Sequence, residues 1–136
     1  MSRARTIANV PTLSITQGGT VTEYESGGTI YRVHSFLNTG TQIFTTTSDL
    51  TVDFLIVGGG GGSAMSEGYS GSTGGGGAGG MVVGTSQSVS AGNHTVVVGD
   101  GGLAGTSTNS PGGDGGNSSF NGFTATGGGG GPDYAL

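Results

Sequence analysis

The sequence predicts a mainly β protein with polyglycine-II helices and no α-helix of note, in which a small β-hairpin and sheet region precedes a glycine-rich layered sandwich. Three observations lead to this fold class. Of the 136 residues, 34 are glycine. The glycines lie in blocks that directly adjoin apolar β-type runs, as where 54–57 meets the five glycines of 58–62. Finally, no segment repeats apolar residues at the spacing of an α-helix.

The composition separates this chain from the usual glycine-rich classes. Disorder is the main alternative, because glycine-rich segments often lack a packed core. Disordered chains are typically rich in charge, however, whereas charged residues make up only 8% here and Thr, Val and Ile are frequent. Collagen requires glycine at every third position and abundant proline, and this chain has 3 prolines. We therefore predict a folded domain.

The charge and the residue types argue against several functions. The formal net charge is −5 and lysine is absent, so we expect no nucleic-acid partner, since phosphate contacts need clustered Lys and Arg. Without cysteine, the chain has no disulfide and no thiolate metal site. No apolar run approaches the roughly 20 residues of a membrane span, so we expect no membrane insertion. The N-terminus lacks the apolar segment of a secretory signal. We also expect that the protein binds no cofactor.

The chain divides at the Gly18-Gly19 break. Residues 1–19 are predicted to form an N-terminal attachment arm. Residues 20–136 are predicted to form one domain that combines β-structure with the glycine-rich sandwich. Its first elements are a hairpin, in which 20–25 and 29–36 flank a turn, and then a strand over 41–47.

The run 50–57 is the predicted central strand. Val52, Phe54 and Ile56 share one face, while Leu55 and Val57 place apolar side chains on the other. We therefore expect its C-terminal half to be buried on both sides. Shorter β-runs between the glycine blocks are predicted at 81–85, 93–98 and 120–126.

Five glycine blocks follow this strand, at 58–62, 74–80, 99–105, 112–116 and 127–131. A polyglycine-II helix has three residues per turn and no internal hydrogen bonds, so neighbouring helices must satisfy its N–H and C=O groups, aided by Cα–H···O contacts. We therefore predict that the blocks stack side by side, and that valine at Gly60 costs several kcal/mol through overpacking. The glycines expected to have this structural role are Gly58, Gly59, Gly60, Gly61, Gly62, Gly75, Gly76, Gly77, Gly128, Gly129 and Gly130.

Three motifs suggest chemistry, but each has a simpler explanation. Residues 59–64 fit a dinucleotide fingerprint, yet the residues that follow are turn-like rather than helical. Residues 112–117 are similar to a calcium-binding repeat, but one copy supplies too few oxygen ligands, so a polar turn that caps a glycine helix explains them. His34 and His94 lie in β-runs, and no nucleophile motif is present. We therefore expect no enzymatic activity.

The order and spacing of the blocks resemble a known family. The matching segments are 44–47, 52–62, 74–80, 90–102, 112–120 and 125–131. Over residues 29–131 this pattern resembles the glycine-rich domain of bacteriophage tail-fibre and adhesin proteins and related virion structural proteins. Residues 1–8 are similar to the start of many marine phage structural proteins. In related polyglycine-II sandwiches, loops between the glycine helices bind host receptors.

The resemblance implies a non-enzymatic virion structural protein, made in the host cytoplasm and carried in the particle as a tail-fibre or appendage component. Its loops 63–73 and 103–111 would bind a host receptor, and its arm would contact other virion proteins. Bare strand edges favour a homo-oligomer, which family analogy makes a trimer. The receptor-binding candidates are Met65, Glu67, Tyr69 and Leu103. The virion-attachment candidates are Arg3, Arg5 and Ile7.

Two alternatives stay open at the level of sequence. The chain lacks the long variable loops and the shaft of typical tip adhesins, which favours a small appendage subunit, or a capsid or tail decoration protein that stabilises the particle, over a receptor-binding tip. The second alternative is an extracellular filament or ice-binding glycine-rich protein. Ice binding needs a flat and regular Thr or Ala face, however, and the glycine blocks here are irregular.

Overall fold

The computed structural model describes residues 15–65, 73–107 and 110–132, and within these ranges the protein is mainly β with no α-helix. This confirms the predicted fold class. The strands are β1 (Ile15–Gln17), β2 (Thr20–Ser26), β3 (Thr29–Ser35), β4 (Gly40–Thr46), β5 (Leu50–Val57), β6 (Met81–Val89), β7 (Gly92–Val98), β8 (Ser118–Phe120) and β9 (Phe123–Ala125).

The β region consists of one large antiparallel sheet and two ribbons. The large sheet has the order β1-β4-β7-β8-β9, whereas β2 pairs only with β3 and β5 only with β6. The β5–β6 ribbon packs on β8 and β9. The buried core between these layers is formed by Phe44, Val89 and Val96. Partly buried apolar residues that surround it are Phe36, Leu50, Val52, Val98 and Phe120.

The prediction that β5 is a central strand buried on both faces is wrong. Ile56 is buried, but Leu55 and Val57 remain 62% and 54% exposed. The reason is that a second layer covers only one side of the β5–β6 ribbon. Leu55 pairs with Val83 on β6, and Val83 is exposed as well.

The predicted hairpin is confirmed as β2–β3, and every residue of β2 is exposed. Gly27 and Gly28 have φ values of 59° and 78°, the left-handed pair that a two-residue turn requires. The single run predicted over 120–126 is instead a second hairpin, β8–β9. Its turn residues Asn121 and Gly122 have φ values of 49° and 81°, because Asn-Gly favours the same kind of turn.

The start of the chain joins the large sheet through β1. Residues 1–14, with Arg3, Arg5 and Ile7, lie outside the described ranges. Ile15 and Gln17 pair with Thr46 and Thr45 on β4, so the last part of the predicted arm belongs to this sheet. Thr46 in turn pairs with Gly92, at the opposite end of β7 from the glycine block that follows Val98. The arm therefore enters the fold at the end that is remote from the glycine segments.

Candidate functional site

Each predicted glycine block continues a strand as an extended segment. We number these segments glycine helix 1 to 5. Glycine helices 1, 3 and 5 follow β5, β7 and β9, whereas glycine helices 2 and 4 precede β6 and β8. Their residues are 58–64, 74–80, 99–105, 112–116 and 127–131. Strands of both packed layers thus continue directly into the glycine helices.

The segments are joined by hydrogen bonds that repeat every three residues. The N–H groups of Gly58, Gly61 and Ala64 donate to carbonyls of glycine helix 2, with N···O distances of 2.8, 2.8 and 2.9 Å. The N–H groups of Gly59 and Gly62 donate to glycine helix 4, each at 2.9 Å. A three-residue repeat with all partners on neighbouring segments is the pattern of polyglycine II, which confirms the predicted glycine stacking.

Glycine helix 1 is the centre of this arrangement. Besides donating to glycine helices 2 and 4, it accepts hydrogen bonds from helix 3 at the Gly60 and Ser63 carbonyls, and from helix 5 at those of Gly59 and Gly62. Helix 4 also donates to helices 3 and 5, and helix 2 donates to helix 5. This pairing defines two layers, with helices 2, 1 and 3 in one row and helices 5 and 4 in the other.

Most glycines at the contacts between helices admit no side chain. A Cβ atom at Gly59, Gly61 or Gly62 would collide with a backbone carbonyl of a neighbouring helix, and one at Gly58 would collide with that of Thr126, directly before helix 5. Glycine therefore lets the backbones approach until Cα–H groups touch carbonyl oxygens. The same collision occurs at the predicted structural glycines Gly76, Gly128 and Gly130.

Other positions in the blocks face open space. A Cβ atom at Gly60 would lie 3.7 Å from the nearest atom, and one at Gly75 would meet nothing within 4 Å. Gly129 is equally open, and Gly77 is intermediate with a nearest atom at 3.3 Å. The prediction that a side chain at Gly60 overpacks the interior is therefore wrong. Ser63 uses such an open position three residues after Gly60, whereas Ala64 next to it is only 7% exposed.

The two loops predicted for recognition meet at the end of the glycine layer farthest from the β core. Met65 and Ser110 form an isolated antiparallel bridge, in which the Met65 N–H donates to the Ser110 carbonyl at 3.0 Å. The connection 66–72 begins after Met65 and the connection 106–109 ends at Ser110, so one end of each lies beside the other. We call this end of the molecule the tip.

The four receptor-binding candidates occupy different settings. Met65 lies in the bridge and is 38% exposed. Leu103 is 82% exposed, but its carbonyl accepts the Gly113 N–H at 2.7 Å, so it belongs to glycine helix 3 rather than to a loop. Glu67 and Tyr69 lie outside the described residues.

Polar side chains complete the hydrogen bonding at the borders of the glycine layer. The Asp114 Oδ1 atom accepts the Gly130 N–H at 2.8 Å, and the Asn117 Oδ1 atom accepts the Gly127 N–H at 2.9 Å. In the segment similar to a calcium-binding repeat, these side chains thus tie glycine helix 4 to helix 5. Nowhere in the described part of the chain do three His, Asp or Glu side chains come together as a metal site would require.

The two histidines contribute to packing. The His34 Nδ1 atom donates to the Gly18 carbonyl at 2.8 Å, and the His94 Nε2 atom donates to that of Ser90 at 2.8 Å. Both rings lie against Phe44, with centroid distances of 5.2 and 6.4 Å. Each ring is thus held by one hydrogen bond to a backbone carbonyl and by contact with Phe44.

The structure also exposes a surface that the sequence predictions did not single out. Tyr24 and Tyr31 stack across the β2–β3 hairpin, with ring centroids 5.1 Å apart and planes at 13°. Both rings are about half exposed, at 53% and 45%. The signal was available in the sequence, because the Gly27-Gly28 turn fixes the register that places these tyrosines opposite each other.

Three comparisons with known proteins add one finding. A family model described as a glycine-rich domain matches residues 37–135, which covers most of the chain. Neither the curated proteins nor the solved structures contain a match. In the described ranges, no helix is long and apolar enough to cross a membrane.

Proposed function

This chain belongs to the family of glycine-rich domains, and we propose that it is a non-enzymatic structural protein of a phage virion, a tail-fibre or appendage component whose tip binds a host receptor. The observation that carries the proposal is the bridge between Met65 and Ser110. It brings one residue of each predicted recognition segment together at the end of the hydrogen-bonded glycine layer. Binding residues are commonly placed on loops that a rigid scaffold positions.

The two ends of the molecule also differ in a way that suits this role. The tip lies at one end of the glycine layer, and the chain enters the fold through β1 at the other end. An N-terminal arm at that end can attach to the particle while the tip faces outward. The localisation we propose is accordingly the virion, after synthesis in the host cytoplasm.

A capsid or tail decoration protein is the second candidate. The observation in its favour is the β2–β3 hairpin, in which every residue of β2 is exposed. Isolated two-stranded hairpins are only marginally stable in water, so contact with a neighbouring subunit in a lattice would stabilise it. Electron cryo-microscopy of particles separates the two candidates: density at fibre tips supports the first, and density on every capsomer supports the second.

Receptor binding can be tested on host cells. In one variant, residues 66–72 are replaced by a Gly/Ser segment of equal length, which leaves the Met65 bridge intact. The matched control replaces Leu55 and Val83 by alanine, which removes two exposed apolar side chains of the β5–β6 ribbon, outside the tip. We expect the first variant to lose cell binding and the second to retain it. Equal binding by the first variant and the unmodified protein would exclude recognition by this segment.

A further inference from the structure

The outer edge of β2 is a strand edge that lacks a partner within the described residues. Ser26 and Thr29 flank the two-residue turn, so they form the hydrogen-bonded pair that closes such a hairpin. Pairs alternate along an antiparallel ribbon. The backbone groups of Val21, Glu23 and Glu25 therefore point away from β3. A two-stranded ribbon of this kind needs a third strand for independent stability.

The chemistry of this edge is specific. Val21, Glu23 and Glu25 place their side chains on the same face, since residues two apart in a strand share a face. Glu23 binds Arg32 across the hairpin, with a nitrogen–oxygen distance of 2.7 Å, whereas Glu25 has no charged partner among the described residues. The edge thus presents two carboxylates and one apolar residue.

The N-terminal segment carries the complementary pattern. Of the three arginines in the chain, two are Arg3 and Arg5, and Ile7 follows at the same spacing. Aligned antiparallel to β2, Arg3 stands opposite Glu25, Arg5 opposite Glu23 and Ile7 opposite Val21. Opposite charges in cross-strand positions stabilise a pair of strands. The small residues Ala4 and Thr6 then fall on the other face, beside Tyr24 and Thr22.

We propose that residues 3–8 of a neighbouring copy add to β2 as a third strand, which links the copies into a homo-oligomer. In this register Ala8 lies opposite Thr20. The arm of the same chain could therefore form this strand only if residues 9–19 made a closed loop whose two ends meet. Residues 15–17 are already extended in β1, and Pro11 biases Val10 to an extended backbone. A short connection that resists reversal favours exchange between copies.

In this arrangement residues 3–8 attach to a neighbouring copy of the chain rather than to another virion protein, so the inference goes beyond the proposed function. An arm that binds a different surface on the next copy makes a head-to-tail contact, and such contacts form a ring when the rotation between copies closes. The trimer expected from family analogy is one such ring. Arg3, Arg5 and Ile7 then have a defined partner, the β2 edge of the next copy.

A charge exchange tests the pairing. Sedimentation equilibrium of the full chain should give an oligomer, and Arg3→Glu or Glu25→Arg alone should weaken its association at least tenfold. The two changes combined in one chain should restore it. Asp100→Arg, which places the same charge change on glycine helix 3, should leave association unaffected. A monomeric unmodified protein, or a combined variant as weak as the single ones, would overturn the proposal.

Disulfide trapping tests the register and the origin of the strand. Because the chain has no cysteine, Ile7→Cys with Val21→Cys introduces a single pair. We expect oxidation to link separate chains on a non-reducing gel. The control, Thr6→Cys with Val21→Cys, puts the cysteines on opposite faces and should not link. A disulfide within one chain, or none, would refute exchange between copies. Both tests use purified protein, so they stand or fall independently of receptor binding.

Discussion

The N–H group of Gly61 donates to the carbonyl of Gly77 with an N···O distance of 2.8 Å, and the same pairing recurs three residues away on both sides. This repeat holds glycine helices 1 and 2 together without any side chain between them. It also determines which glycines the fold requires, because only one residue in each turn of glycine helix 1 faces open space. Our predictions test this rule and the packing around it.

Alanine at Gly61 should be far more costly than alanine at Gly60. A Cβ at Gly61 would collide with the Gly129 carbonyl, which is backbone and cannot move aside. We expect the free energy of unfolding to fall by about 3 kcal/mol or more, the severe end of overpacking. Gly60→Ala should be neutral or stabilising by up to ~1 kcal/mol, because alanine restricts the unfolded chain. Urea unfolding measures both, and equal losses would contradict the three-residue rule.

Asp114 should act through its carboxylate oxygen as a hydrogen-bond acceptor. Asp114→Ala removes the acceptor for the Gly130 N–H, and we expect a loss of about 1 kcal/mol, as for one hydrogen bond. Asp114→Asn keeps an acceptor oxygen and should retain most of the stability. Thermal melts with millimolar Ca²⁺ or with a chelator should coincide. A higher Tm with Ca²⁺ that disappears in Asp114→Asn would instead establish a calcium site.

Gly122 should be required for its backbone conformation alone. Its φ is 81°, and a Cβ atom there would meet nothing within 4 Å. Gly122→Ala should therefore cost about 1–2 kcal/mol, the penalty for an L-residue in the left-handed region. Gly101→Ala is the matched control, since its Cβ is equally free, with the nearest atom at 3.9 Å, and its φ is not positive. Similar melting temperatures for the two variants would argue against the tight turn between β8 and β9.

Truncation of two adjacent residues of β5 should lower the stability to very different extents. Ile56 is 7% exposed and Leu55 is 62% exposed. Ile56→Ala should lower the free energy of unfolding by about 2–5 kcal/mol, as expected for a buried aliphatic side chain. Leu55→Ala should change it by no more than ~0.5 kcal/mol, as is usual at the surface. Chemical denaturation of the two variants compares them, and a large effect at Leu55 would mean that its face is covered.

The sequence predicted the hairpin turn and the glycine segments better than it predicted which strand faces are buried. The hairpin around Gly27-Gly28 and the five glycine blocks follow from local turn chemistry and from the absence of side chains, so both could be predicted. The one-sided burial of Leu55 could not, because it depends on which layers pack on the β5–β6 ribbon. Asn121-Gly122 is itself a hairpin signal in the sequence, and the single run predicted over 120–126 spans it.

The candidate site shows the same division. The sequence identified the segments 63–73 and 103–111, because they separate glycine blocks. It did not show that Met65 and Ser110 would meet, since that bridge requires glycine helices 1 and 4 to lie antiparallel in register. Likewise, it could not assign Leu103 to a glycine helix instead of a loop.

The sequence by itself determined that glycine segments alternate with strands in this protein, because only residues without side chains can pack backbone against backbone over several turns. The tertiary structure decided which glycines are indispensable. Gly60 and Gly61 are identical in the sequence, yet one faces open space and the other a carbonyl oxygen of the next helix. That difference arises from the rotation of each helix about its axis, which is fixed only when the neighbouring helices take their places around it.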